Sequence, residues 1–299
     1  MVESSKTVAD TAQRQPALLR ALEHRHAAAA ARPLSKALTD AQQDATLRWT
    51  LATTTTQHIP APAELAALIE HIRKALAAAF HGQGAYAMQE AQRAAYTAAA
   101  IGVQHTSRIV GMLRGVAPPP IPPETGTPAD RAAGGIPAAV QEEHSHALAL
   151  LTTAALTAYG LAGLKSVFSR ARRAVTRITA SVAVAVTSAA AHAALVVARY
   201  LGPGVRMLWV AEPGACPACA AYAGRSIRPG GMFPGGLSLD PKRTVFLTPI
   251  AGPPRHVSCR CGVIPWHPSW RTQGPSLPVL LQQRARAAYR ATVPAQRTA

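Results

Sequence analysis

Two short motifs in the last third of the chain carry the residue types that could do chemistry. The first is CPAC, with Cys216 and Cys219, and the second is HVSCRC, with His256, Cys259 and Cys261. A Cys-X-X-Cys turn directs two thiolates at one ion, and a distant second motif can complete a tetrahedral site. Zinc favours such sulfur and imidazole ligands. The spacing therefore predicts a zinc site with five candidate ligands for four places.

Other interpretations of these cysteines stay open. They could form a pair of disulfides late in the life of the protein, or stay as buried free thiols. All four cysteines lie between 216 and 261, unlike those of a disulfide-rich secreted scaffold. A thioredoxin-like redox role needs a βαβ setting around Cys-X-X-Cys, and a DNA-reading zinc finger needs a His-X3-5-His pair on a helix. The sequence shows neither pattern.

The elements that must position the two motifs begin after Pro203. Short β-prone pieces at 207–210, 245–248 and 263–266 alternate with Pro/Gly turns. This pattern of short apolar runs and turns predicts a small α+β module over residues 203–270, clamped by its Cys and His residues. Residues 271–299 are predicted to form a basic helix, centred on 279–290, and a tail.

The rest of the chain predicts a mainly α fold. Residues 1–115 read as a helical region, in which Pro33 is expected to end one helix and Pro62 to begin another. The second of these helices carries an apolar stripe at helical spacing, formed by Leu65, Leu68, Ile69, Ile72 and Leu76. We expect this stripe to lie in the core.

Two further regions separate this helical part from the module. Residues 116–137 are rich in proline and glycine and predict a linker. Residues 138–202 predict a long-helix region, with one helix over about 138–169 and a second over 172–201. The predicted fold class is thus mainly α, with an N-terminal helical region and long helices that lead into a small α+β module.

Positive charge is concentrated in the second half of the chain. The net charge is +17, and residues 144–299 contain 18 Lys/Arg against only Glu212 and Asp240. Such an excess suggests phosphate-rich surroundings such as nucleic acid, although a GC-rich gene also enriches arginine and alanine. The arginines expected to meet DNA, if DNA is a partner, are Arg170, Arg172, Arg173, Arg284, Arg286 and Arg290.

An enzyme is not favoured by this composition. General acid–base chemistry needs a carboxylate or histidine beside a partner that tunes its pKa, and the second half offers only two acids. A zinc ion held by four Cys/His ligands is closed and structural. The N-terminal half shows no phosphate loop or nucleophile motif. We predict no catalytic residues and no small-molecule substrate.

Two uncharged stretches, 147–164 and 179–198, have about the length that crosses a bilayer. Both consist mainly of alanine diluted by Thr, Ser, Gly or His, which favours buried helices over membrane spans. A membrane-active or toxin-type effector is the alternative. No basic-then-apolar leader is visible, and we expect the protein to be made in the cytoplasm.

Three runs carry a resemblance to a known family: RITASVAVAV from Arg177, MLWVAEPGACPACAAYAGRSI from Met207 and PPRHVSCRCGVIP from Pro253. Together they resemble the C-terminal signature of the phage Mu F-like, or head morphogenesis, proteins over about residues 172–266. Ala180 stands where the family often has Glu, and Glu212 occurs in an altered context. The matching positions are Trp209, Cys216, Cys219, Gly224, His256, Cys259, Arg260 and Cys261.

The resemblance implies a minor capsid protein of the virion, made in the cytoplasm of a host bacterium. It implies a structural adaptor in head assembly, at or near the portal, with the portal or major capsid protein as partner. Packaged DNA could be a further partner, through the basic half of the chain. A nucleic-acid-binding zinc-knuckle protein is the second function that these features allow.

Overall fold

The computed structural model describes residues 3–54, 60–240, 242 and 245–295. Within these ranges the chain is mainly helical with one small sheet, which confirms the predicted fold class. The helices are α1 (Ser5–Thr54), α2 (Pro62–Phe80), α3 (Gln83–Arg114), α4 (Thr127–Gly134), α5 (Ile136–Leu150), α6 (Thr153–Tyr200), α7 (Pro217–Ala220) and α8 (Leu277–Ala295). The strands are β1 (Arg206–Val210), β2 (Ser226–Ile227) and β3 (Gly262–Trp266).

Contacts between residues divide the chain into two units. One unit comprises the described residues within Met1–His24, Gln92–Arg131 and Ala183–Ala299, and the other comprises Arg25–Ala91 and Ala132–Val182. The helices α1, α3, α4 and α6 each contribute a segment to both units. The units therefore combine segments that are far apart in sequence, whereas the predicted regions were continuous stretches.

Helix α1 corrects one expectation, because it continues through Pro33 instead of ending there. Proline removes one backbone hydrogen bond from a helix interior. The apolar stripe nevertheless continues across this position, since Ala30, Leu34 and Leu38 are all buried. Burial of each large apolar side chain stabilises the fold by about 1.5–3 kcal/mol, which offsets the cost of the proline.

The predicted linker and the long helices also differ from expectation in detail. Residues 127–134, inside the predicted linker, form α4, whose start is favoured by Pro128 in its first turn. The break between α5 and α6 falls at 151–152, not near 170. The hydroxyl of Thr152 accepts a hydrogen bond from the backbone N–H of Ala155 and caps the first turn of α6, whose backbone is non-helical at Gly160.

The second unit contains the predicted apolar stripe of α2. Its five members are all buried, as predicted. Helix α2 begins at Pro62, and the Glu64 carboxylate accepts the backbone N–H of Ala61. At its other end Phe80 stacks on His144 of α5, with 4.6 Å between ring centroids.

Helix α6 is the one described helix that is long and apolar enough to cross a membrane, judged by length and composition alone. In its most apolar window, 61% of the residues are buried inside the fold. Core helices pass the same test, so length and composition do not assign a membrane location.

The sheet organises the first unit. Strand β1 lies between β2 and β3 and is antiparallel to both, with Trp209 opposite Val263. Because side chains alternate along a strand, Met207 and Trp209 face one side. Leu208 and Val210 face the other, where they pack against residues of α1, α3 and α8.

Candidate metal centre

The CPAC motif forms a tight turn, which residues 211–215 separate from the end of β1 at Val210. Cys216 has extended backbone angles and caps the short helix α7, with its sulfur accepting the backbone N–H of Cys219 at 3.5 Å. Pro217 supplies the fixed φ that suits the first helical position. This local geometry brings the thiols of Cys216 and Cys219 to one side of the turn.

The HVSCRC motif directly precedes β3, the strand that pairs with β1 on the side opposite β2. A backbone hydrogen bond of 2.8 Å from the N–H of Cys259 to the carbonyl of His256 closes a turn, and the chain then enters β3 at Gly262. Cys259 and Cys261 are each only 1% exposed. Cys261 packs in the same core cluster as Trp209.

The donor atoms of the two motifs converge. The Nε2 atom of His256 lies 3.3 Å from the sulfur of Cys216 and 3.3 Å from that of Cys219, and the sulfurs of Cys219 and Cys259 are 3.6 Å apart. Tetrahedral zinc with bonds of about 2.3 Å to sulfur and 2.0 Å to nitrogen places sulfurs about 3.8 Å apart and sulfur about 3.5 Å from nitrogen. The observed separations are those of a site that could hold a metal ion.

All five predicted ligands take part in this cluster. Their donor atoms form two groups, within each of which every pair is closer than 4.8 Å. The groups are Cys216, Cys219 and His256, and Cys219, Cys259 and Cys261. Cys219 belongs to both and is the centre of the arrangement. All four cysteines are free thiols, without a disulfide between them.

Hydrogen bonds within the cluster favour the thiolate form of two of its sulfurs, those of Cys216 and Cys259. A hydrogen bond from Cys219, with a further contribution from His256, lowers the pKa of Cys216 to about 4. Hydrogen bonds to the sulfurs of Cys216 and Cys259 raise the pKa of the Cys219 thiol, and the second of these bonds lowers the pKa of Cys259. The hydrogen bond to Cys216 raises the pKa of His256. A cation at the centre would be attracted to these thiolates.

The loop between the motifs orients the imidazole. Phe246 stacks on His256, with centroids 5.4 Å apart and planes inclined by 15°. The guanidinium of Arg255 lies over both Phe246 and Tyr222. An antiparallel bridge between Phe233 and Ile250 pairs the two sides of the loop, so the loop has structure of its own besides the clamp at its base.

An aromatic cluster lies in the core beside the candidate metal centre. Trp209 contacts Tyr222 and Phe233, with centroids 5.0 and 5.1 Å away. The Tyr222 hydroxyl donates to the carbonyl of Pro234 at 2.6 Å. This cluster ties β1, the CPAC turn and the loop into one core.

Two groups near the centre were not predicted from the sequence. Glu23 of α1 binds the side chain of Arg260, and Phe246 covers His256. Glu23 is 237 residues from its partner, and no spacing rule connects them. For Arg260 a signal existed, since it lies inside the HVSCRC motif.

The arginines proposed for DNA contact fall into two sets. Three have partners within the fold: Arg170 with Glu143, Arg172 with Gln42, and Arg284 with Asp10 and Gln13. The other three, Arg173, Arg286 and Arg290, are exposed. Four other histidines, namely His144, His146, His192 and His267, lie outside the two candidate metal-ligand groups found among the described residues.

No protein-family model, curated protein or solved structure matches this chain. The resemblance to the Mu F-like family therefore stays a prediction.

Proposed function

We propose that the module over residues 203–270 is built around one structural zinc ion, bound by Cys216, Cys219, His256 and Cys259. The convergence of these donors from two distant motifs is the observation that carries the proposal. His256 already contacts two of the sulfurs, and Cys259 contacts the central one. Cys261 is then a neighbouring core thiol. Bound zinc would cross-link the CPAC turn to the start of β3.

A structural role is favoured over catalysis by the state of the two acids in this half of the chain. Glu212 accepts the backbone N–H of Arg260 at 3.0 Å and pairs with Arg20. Asp240 accepts the backbone N–H of Lys242 at 3.2 Å. Both carboxylates are engaged within the fold, and four protein ligands would leave zinc no open position for substrate. We propose that the protein is not an enzyme.

Zinc content tests the ligand set. Protein purified under reducing conditions should hold one zinc per chain, as measured by elemental analysis. Cys259→Ser should lose it and unfold the module, because structural zinc supplies about 10–16 kcal/mol in small modules. Cys261→Ser is the matched control, since it removes a thiol two residues away, and it should keep the ion. If Cys259→Ser kept the zinc and Cys261→Ser lost it, the fourth ligand would be Cys261 and not Cys259.

For the whole chain we propose a phage minor capsid protein that acts as an adaptor in head assembly, at or near the portal. The support is the resemblance of the module together with the roles of the matching residues. Trp209 forms the core beside the cluster, Arg260 holds the second motif, and Gly224 allows α8 to approach. Helical surfaces can dock into grooves of other proteins, and the portal or major capsid protein is the proposed partner.

Head assembly provides the test of this proposal. In a phage carrying the gene, the protein should be present in purified heads or proheads. Replacing Cys259 by Ser should give defective or empty heads at unchanged portal protein levels, while Cys261→Ser should give normal heads. Normal infectious particles from the first variant, or absence of the protein from heads and proheads alike, would exclude the adaptor role.

Contact with DNA is the second candidate, and charge is the observation that favours it. The first unit contains 20 Lys/Arg against 7 Asp/Glu, so it carries an excess of 13 of the 17 net charges. On α8, Arg286 and Arg290 are exposed one turn apart. Binding through these residues would be independent of DNA sequence and steeply weakened by salt.

Gel retardation of a random duplex at low salt tests this second candidate. Each lost phosphate contact should reduce the slope of log affinity against log salt by about 0.9, so Arg286→Gln with Arg290→Gln should reduce it by about 2. Arg284→Gln is the control, because this side chain already binds Asp10 and Gln13. No retardation at low salt would exclude DNA as a partner.

A further inference from the structure

Arg260 links the second cysteine motif to the first helix. Its Nη1 atom donates to the carbonyl of Val257 at 2.7 Å and to that of Cys259 at 3.0 Å. Its Nε and Nη2 atoms donate to the two oxygens of the Glu23 carboxylate, the second at 2.5 Å. The two side chains of this fork-to-fork ion pair are each 12% exposed.

The backbone at the same position is held by a second carboxylate. Glu212, which follows β1, accepts the N–H of Arg260 at 3.0 Å, and its other oxygen binds Arg20 of α1. Glu23 therefore holds the side chain of Arg260, and Glu212 holds its backbone. Because Arg260 stands between Cys259 and Cys261, these contacts set the position of the turn that carries both thiols.

We propose that Glu23 is an outer-shell positioning residue of the metal site, acting through Arg260. This role rests on the proposed zinc site. Outer-shell partners fix the direction of ligands, and their loss costs metal affinity by about ten- to a hundredfold. By thermodynamic reciprocity the ion then holds α1 against the module as strongly as α1 holds the ligands in place.

The rest of the α1 contacts make the proposal testable, because they do not depend on Glu23. The backbone N–H of Ser5 donates to the carbonyl of Gln273 at 3.0 Å, and Asp10 binds Arg284. Val8 and Ala9 are buried against β1, β3, α3 and α8. An isosteric Glu23→Gln variant should therefore keep α1 docked and the chain folded.

Zinc affinity measured by competition with a chromophoric chelator is the primary test. Glu23→Gln should bind zinc at least tenfold more weakly than the parent chain. Its cobalt-substituted form should keep the parent absorption spectrum, since the ligands are unchanged. Glu143→Gln is the matched control: it also removes a buried carboxylate paired with arginines, Arg170 and Arg177, but lies in the other unit. It should leave zinc affinity unchanged.

A double variant separates a specific coupling from a general loss of stability. Arg260→Gln should weaken zinc binding like Glu23→Gln, and combining the two should weaken it no further than the stronger single change, because both remove the same ion pair. Additive losses would show that the two residues act independently and would overturn the proposal.

Hydrogen exchange of residues 5–24 provides the reciprocal measurement. Chelation of zinc from the parent protein should speed exchange in this segment at least tenfold, and the acceleration should be smaller in Glu23→Gln. If the parent chain binds no zinc, the zinc site itself is wrong. If it binds zinc and Glu23→Gln binds it equally well, the outer-shell role is wrong while the zinc site stands.

Discussion

Replacing Gly224 by Ala tests how α8 is seated on the cysteine module. Gly224 has φ of +74°, and a Cβ there would lie 2.1 Å from the carbonyl oxygen of Pro278, in the first turn of α8. No rotamer change relieves a contact between Cβ and backbone. The helix must move, although its buried residues Leu277 and Leu281 are each 1% exposed.

The expected cost has two parts. An L side chain in the left-handed region costs roughly 1–2 kcal/mol. Displacing the first turn of α8 loses part of the burial of two leucines, each of which contributes about 1.5–3 kcal/mol when fully buried. We expect Gly224→Ala to lower the free energy of unfolding of this unit by about 3–4 kcal/mol.

Gly214→Ala is the matched control in the same module. Gly214 has φ of +80°, and nothing lies within 4 Å of its added Cβ. It should show the backbone strain alone, about 1–2 kcal/mol. Denaturant unfolding measures both variants, and hydrogen exchange over residues 277–292 should accelerate in Gly224→Ala only. Equal losses in the two variants, with α8 still protected, would refute the close-approach explanation.

Two further predictions concern His105 and Gly102, which both lie in α3. Burial, aided by the charge of Arg108, lowers the pKa of His105 to about 4. As the pH falls, His105 is therefore protonated in the unfolded chain before it is protonated in the folded one. The free energy of unfolding should thus decrease by about 2 kcal/mol between pH 7 and pH 5. His105→Asn should remove this part of the pH dependence in denaturant unfolding, and parallel losses in parent and variant would contradict it. Gly102 brings α3 close to α6, since its added Cβ would lie 2.9 Å from that of Ala193; Gly102→Ala should lower the melting temperature because overpacking costs about 1–3 kcal/mol, whereas Gly134→Ala, with open space around it, should not.

The candidate metal centre was predictable because both halves of it are local in sequence. Cys216 and Cys219 are brought together by one turn, and His256, Cys259 and Cys261 lie within six residues. Soft donors at these spacings are typical of structural zinc sites. The convergence of the two motifs followed from that chemistry and required no knowledge of the sheet.

The strands were partly predictable for a similar reason. The apolar runs at 207–210 and 263–266 correspond to β1 and β3. The run at 245–248 is also β-prone but forms no strand in the structure, whereas the two-residue β2 has no sequence signal. Strand formation at such short segments is decided by hydrogen bonding to a neighbour, and β2 exists because Ser226 and Ile227 lie beside β1.

Helix ends were the least predictable feature, since tertiary packing overrides local signals. Pro33 carries a strong stop signal, but burial of the stripe on both sides of it keeps α1 continuous. Thr152, by contrast, caps α6 through a single hydrogen bond. A threonine within an alanine-rich run gives little indication that it begins a helix.

Charge counts along the chain overstate the cationic surface that is free to bind a partner. Arg170 and Arg177 belong to the basic half, yet both bind the buried carboxylate of Glu143. Arg260 neutralises Glu23, and Arg284 binds Asp10. In each pair the acid lies within residues 1–143, so these four arginines of the basic half are paired with carboxylates from the other half of the chain. The excess that persists lies in the first unit, where 20 basic residues accompany 7 acids, and any acidic partner should therefore recognise that unit.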